Sequence, residues 1–407
     1  MRCSWMGLAL LLPSLGLCAA IQWLSLAANG TQVAWDNPQD CRLLASDALA
    51  RLCRRHLEAM PSLVEAARQT KAVCQQTFAN SRWNCSSVEG TPHLAPDLQR
   101  GTRESAFVYA LASSAASHSI ARACASGQVP FCFCGSSPSE APHPSFQWGG
   151  CGDNLPFGLQ LGSAFVDGPM KFSKAGRQIS RVLNLHNNAV GRQVSRVIPA
   201  LQGVGLDAPR VPDFIIWYWR IQVRELWVQE VQFSPLGCLT VLLLSFRLLL
   251  SQVLSDSLET MCKCHGVSGS CTVKTCWKGL RDLATIGSEL KSKYLEATQV
   301  MPWLVGSRRQ LAPRGGRLRP LKADELAYLV HSPTYCLKNP KLGSLGTQDR
   351  PCNKTSAGSG GCRLLCCGRG YNTYAERVEE KCRCRYHWCC YVTCKKCQRV
   401  VEKHVCK

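Results

Sequence analysis

The chain has 407 residues, a formal net charge of +21, 27 cysteines, and 18% charged against 46% hydrophobic residues. That hydrophobic share excludes intrinsic disorder, and the cysteine density excludes an ordinary reduced intracellular protein. The excess of base calls for polyanionic partners outside the cell, which leaves nucleic acid aside.

The first twenty residues, "MRCSWMGLALLLPSLGLCAA", place Arg2 before an apolar stretch from Met6 to Leu17 and small residues at Cys18, Ala19 and Ala20. This is the pattern of a secretory signal peptide spanning 1–20. Asn29, Asn84 and Asn353 each open an Asn-x-Ser/Thr glycosylation acceptor, which agrees with passage through the endoplasmic reticulum. In that oxidising route the cysteines are expected as disulfides, and removing Cys3 and Cys18 leaves 25, an odd number.

Residues 41–127 space their apolar side chains near the 3.6-residue period, so helices are expected, with Pro61 suited to a first turn. The stretch 128–160 is rich in Gly, Pro and Ser and carries Cys132, Cys134 and Cys151, which predicts a bridged loop region. Helix is expected again over 176–193. Residues 194–252 differ in character: an apolar run from Leu236 to Phe246 is cut by Arg247, short of a clean membrane span of about 18 residues. Beyond it, 253–300 reads as helix around a short loop, "CKCHGVSGSC" (262–271). Residues 301–333 read as a Pro/Gly/Arg-rich linker, with five arginines and no acid over 306–320. From Cys336 onward the last 72 residues hold 12 cysteines and too few apolar residues for a conventional core, so a separate disulfide-held β domain is expected over 334–407.

The short loop has a physical reading of its own. If Cys264 bonds Cys271 inside a Cys262 to Cys276 bridge, covalent closure holds a hairpin that has no core. Gly266 and Gly269 permit the tight backbone and leave Ser268 at the tip. The pattern lacks the final glycine of a nucleophile elbow, since Ser270 stands there, and the chain is expected not to be an enzyme. A structural turn serine remains open on these residues alone. In the last segment, the Cys-x-Cys and Cys-x-x-Cys spacings would suit zinc in a reduced compartment. Secretion and an even count favour disulfides and no metal.

Five motifs in order, "RWNCSS" (82–87), "RGTRESAFVYA" (100–110), "WGGCGDN" (148–154), "CKCHGVSGSCTVKTCW" (262–277) and "CRCRYHWCCYVTCKKC" (382–397), resemble the Wnt family of secreted signalling glycoproteins. "GTQDRPCNKTSAGSGGC" and "CCGRGYNTY" are most similar to the Wnt-eleven subgroup. The resemblance implies an α+β, disulfide-rich fold: a helical N-terminal domain (21–300) bearing a thumb hairpin at 262–276, and a cystine-rich C-terminal domain with an index-finger hairpin. It implies a covalent monounsaturated fatty acyl (palmitoleoyl) group on Ser268, attached by the acyltransferase Porcupine, and no other cofactor. A chain of about sixteen carbons buries on the order of 10 kcal/mol gross at roughly 0.8 kcal/mol per methylene.

The implied partners are the cysteine-rich domain of a Frizzled receptor, the Wntless carrier during secretion, heparan sulfate proteoglycans and co-receptors of the Ror and Ryk type. Receptor contacts fall on Ser268 and on Trp388, Cys389, Cys390 and Tyr391. Implied pairs are Cys336 with Cys367, Cys352 with Cys362, Cys366 with Cys406, Cys382 with Cys397, Cys384 with Cys394, and Cys389 with Cys390. Cys74, Cys85, Cys124, Cys132, Cys134 and Cys151 complete the expected set.

The function so implied is a secreted, matrix-associated ligand whose signalling is mainly independent of β-catenin, controlling cell polarity, movement and fate in development. Two other readings are a heparan-sulfate-binding matrix protein and a form tethered to membrane through 236–254. Residues 194–252 have no counterpart in the family pattern. Their removal joins "AVGRQ" to "VLSDSLETMCKCHG" as one amphipathic helix, and takes Cys238 with them, leaving an even 24 cysteines. The segment therefore reads as a translated retained intron.

Overall fold

The computed structural model describes residues 19–29, 33–44, 46–89, 96–136, 138, 145–172, 178–194, 258–267, 270–305, 308–315, 319, 321–388 and 391–407. Residues 1–18 of the expected signal peptide, all but Val194 of the 194–252 segment, Ser268, Cys389 and Cys390 lie outside the described residues.

The fold is α+β and cystine-rich. Its longer helices, among the described residues, are α1 (Asp47–Arg55), α2 (Met60–Phe78), α3 (Arg103–Ala125), α4 (Leu155–Phe172), α5 (Gln178–Val194) and α6 (Leu283–Leu295). At the centre lies α3, whose sequence "RESAFVYALASSAASHSIARACA" is small or apolar on every side and is buried on every side. Thr102 caps its start, the hydroxyl accepting from the Ser105 amide at 3.2 Å.

Small side chains on α3 let its neighbours approach closely. A Cβ at Gly158 or Gly162 of α4 would strike Ser117, and one at Gly191 of α5 would strike the Ala110 carbonyl. This accounts for α4, which the expected loop region at 128–160 did not anticipate. Its glycines and Pro169 read as helix breakers by propensity, yet here the glycines are contact surface.

The "RWNCSS" motif closes on a buried carboxylate, Asp97, whose main-chain carbonyl accepts from Thr102 Oγ1 of "RGTRES" at 3.0 Å. Asp97 is fully buried, and its Oδ2 accepts from Ser87 Oγ at 2.6 Å and from Trp83 Nε1 at 3.0 Å. Burial outweighs these bonds and raises the carboxyl from 3.8 to about 6. Folding then binds a proton between those two values, so this contribution to stability is full below pH 4 and lost as pH rises through 6. Asp97→Asn is expected to flatten that slope. Relative to the parent, it gains up to about 3 kcal/mol between pH 4 and pH 7 in denaturant titrations.

Three departures from expectation concern local structure. Residues 253–300 were expected to be helical around a hairpin at 262–276; the hairpin is there, but its strands extend over 259–265 and 273–279, and among the described residues helix is confined to α6. Second, the expected 301–333 linker holds strands: β4 (Thr298–Val305) pairs antiparallel with β5 (Arg308–Pro313) and parallel with β6 (Ala327–Tyr328). Val300, Leu311 and Ala327 bury against Leu183 of α5, and the Asn187 side chain bonds both the N–H and C=O of Ala327. Third, the C-terminal segment belongs to the same compact unit as the helices. Arg350 donates to the carbonyls of Arg82 (2.8 Å) and Ala79 (2.9 Å), and buried Tyr335 packs on Trp83.

Candidate functional site

Two hairpins carry the residues singled out by sequence. The first lies in a second compact unit, whose described residues are 136, 138, 145–152, 258–267 and 270–280. There β1 (Gln147–Trp148) runs parallel to β3 (Val273–Gly279), which pairs antiparallel with β2 (Glu259–His265). Strands of seven residues span about 20 Å.

Cys262 and Cys276 are register partners and are bonded; Cys264 bonds Cys271 nearer the tip. His265 Nε2 lies 2.6 Å from Thr275 Oγ1, and Thr272 Oγ1 donates to the His265 carbonyl at 3.2 Å. At the root, Gly150 adopts a positive φ of 92° against the Trp277 ring, and a Cβ at Gly152 would lie 2.7 Å from the Lys278 carbonyl oxygen. Glycines of "WGGCGDN" thus let a neighbouring strand lie flat on β3.

The tip loop, 266–272, is closed by the Ser270 amide donating to the Val267 carbonyl at 3.2 Å. Val267 is 91% exposed, and Met261 and Val273 also face water. These side chains bury nothing within the hairpin. Its rigidity comes from two covalent closures and the strand ladder rather than from a core.

The second hairpin is β7 (Tyr371–His387) with β8 (Tyr391–Cys406), strands of 17 and 16 residues that extend about 50 Å. Most of its residues are exposed. Cys382 bonds Cys397 and Cys384 bonds Cys394 across a bulge where Arg383 takes a φ of 45°. His387 stacks on Tyr391 with ring centroids 4.7 Å apart, and its Nε2 lies 2.8 Å from Thr393 Oγ1. Beyond that stack Trp388 is 93% exposed, beside exposed Tyr386, Tyr391 and Val392.

The base of this ribbon is fastened by Cys336–Cys367, Cys352–Cys362 and Cys366–Cys406. The sulfurs of Cys352, Cys366 and Cys406 lie within 4.8 Å of one another, a spacing that could hold a metal. All three are consumed in disulfides, so no thiolate is present to ligate one.

Elsewhere, Cys74–Cys85 and Cys124–Cys132 are bonded, and Cys134 and Cys151 are both in disulfides. Cys41–Cys53 was missed by sequence reasoning, which took both cysteines as helical positions. Arithmetic could have found it: with 22 of 24 cysteines assigned, only these two remained. Of the glycosylation acceptors, Asn353 is exposed, its Oδ1 accepting from the Thr355 amide at 2.9 Å, and Asn84 is half-buried. Asn29 ends a short helix.

No described helix is long and apolar enough to cross a membrane. The 236–254 segment lies outside the described residues.

The model of the "wnt family" matches residues 42–199 and 250–407. The chain is 54% identical to "Protein Wnt-11b" of Xenopus laevis over 408 aligned residues, covering 99% of this chain and 98% of that one. It is 46% identical to "Protein Wnt-11" of Gallus gallus over 394 residues, covering 96% and 95%. Among solved structures, "Human WLS in complex with WNT8A" aligns with a TM-score of 0.52 at 26% identity, covering 92% of this chain and all of that one.

Proposed function

The chain belongs to the Wnt family, and from that premise we propose that it is a secreted, acylated ligand of Frizzled receptors. Ser268 carries a monounsaturated fatty acyl ester, formed by a Porcupine-type acyltransferase, into an apolar groove of the receptor's cysteine-rich domain. Trp388, Cys389, Cys390 and Tyr391 form the second contact. The observation that carries this reading is the pair of disulfide-braced hairpins whose ends expose Val267 and Trp388 at 91% and 93% while burying no core of their own. Rigid, exposed apolar tips lose little entropy on docking, and large aromatic anchors dominate interface energy.

The chemistry is recognition. The chain breaks no bond, and its binding energy comes from transferring an acyl chain and aromatic surface out of water. Likeness to WNT8A, whose solved structure holds it with WLS, supports a carrier of the Wntless type for this chain as well. Heparan sulfate proteoglycans fit the basic surface, and the Wnt-11 relatives support signalling mainly independent of β-catenin in development. The family match stops at 199 and resumes at 250, which supports reading 194–252 as a translated intron.

Peptide mapping of the released protein across 190–276 tests the reading. A peptide joining Gln193 to Val253, with a monounsaturated acyl mass on Ser268, is expected. Peptides from 194–252 with an unmodified Ser268 would overturn it. Trp388→Ala is expected to weaken binding to an immobilised Frizzled domain by about tenfold to a hundredfold. Because Trp388 is exposed, thermal stability should not move, and an unchanged affinity would remove the second contact.

A further inference from the structure

The loop leaving α3 is built to hold two phenyl rings in water. Gln128 N donates to the Ala123 carbonyl at 2.9 Å, Gly127 N to Cys124 at 3.1 Å and Cys132 N to Val129 at 3.2 Å, folding the chain back onto the helix end. Cys132 is bonded to Cys124, and Val129 and Cys132 fill a small apolar cluster with Ala123, Cys124 and Phe157. Asn154 Nδ2, from the chain entering α4, fixes the next turn by donating to the Phe133 carbonyl at 2.8 Å.

Val129 and Cys132 take the inward positions, and Phe131 and Phe133 are left 79% and 82% exposed. A mobile loop could tuck such rings away. Here the disulfide and the Asn154 bond hold the backbone that carries them. Two neighbouring exposed phenylalanines on one pinned loop mark an interaction surface.

The surroundings indicate what covers it. From Ala123 to Ser139 the sequence contains no Asp, Glu, Lys, Arg or His. A protein interface would surround its apolar centre with a polar, partly charged rim. An uncharged loop with aromatic tips can instead enter the headgroup layer with no charge to desolvate, and a chain of net charge +21 is drawn toward anionic bilayers.

We propose that Phe131 and Phe133 seat this loop in the surface of a lipid bilayer, as a membrane contact separate from the Ser268 site. The test uses the full chain carrying Ser268→Ala, so that no acyl group on that serine contributes. Its partition onto vesicles of phosphatidylcholine and phosphatidylserine is compared with that of the same chain also carrying Phe131→Ser and Phe133→Ser.

Partition is expected to fall about tenfold or more in the Phe variant. Amide exchange over 127–133 should slow on vesicles in the parent and not in the variant. No vesicle binding by the parent, or equal binding by both, overturns the proposal. A Phe variant that loses capture of a receptor or carrier ectodomain while partitioning unchanged also overturns it, and assigns the loop to a protein.

Discussion

Ser268→Ala is expected to lower affinity for a Frizzled cysteine-rich domain by at least about a hundredfold, with the folded chain otherwise intact. Such a loss corresponds to about 2.7 kcal/mol, a fraction of the on-the-order-of 10 kcal/mol gross burial that a sixteen-carbon chain offers. At this tip exposed Val267 offers far less apolar surface than a sixteen-carbon chain, so the acyl group dominates what the hairpin can contribute. Ser270→Ala, two residues away on the same tip, provides the control and should bind as the parent does. Biolayer interferometry on the released or lumenal protein reads both. Equal binding by the Ser268 variant would mean that the basic surface, not an acyl thumb, carries recognition.

The second large effect concerns stability. Asp167 of α4 is 3% exposed and accepts from Arg192 Nη2 at 3.0 Å, from Asn188 Nδ2 at 3.0 Å and from Arg192 Nη1 at 3.3 Å. Arg192 Nη1 also donates to Ser113 Oγ of α3 at 2.6 Å, so one guanidinium joins three helices. Asp167→Ala would leave that guanidinium largely buried without its countercharge, and is expected to cost about 3 to 5 kcal/mol. Guanidinium titration followed by tryptophan fluorescence would show it, together with poor release from cells. Asp167→Asn keeps an acceptor and should cost less; equal losses would show that packing, not charge, is what Asp167 supplies.

Membership of the family was legible because its motifs are local. "RWNCSS", "WGGCGDN" and the two cysteine-rich runs are each recognisable within a few consecutive residues, and the two runs also close their nested disulfides within themselves. The α+β class was legible for the same reason, since α3 and the C-terminal cysteines announce their environments by composition. Features that depend on a distant neighbour were not. Helix α4 was hidden because Gly158 and Gly162 look like breakers until Ser117 of α3 is known to lie against them.

The hairpin at 298–313 was hidden by its arginines. Strand order there rests on Leu183 and Asn187 of α5, more than a hundred positions earlier.

By itself, then, the sequence determined the family, the α+β class and the cystine-rich character, all of which are written in spacing and composition. The tertiary structure alone decided that Cys41 joins Cys53, that a basic linker becomes a sheet, and that Asp97 holds its proton up to about pH 6. Each of these depends on which atoms lie within a few ångströms in space, and chain separation carries little information about that distance.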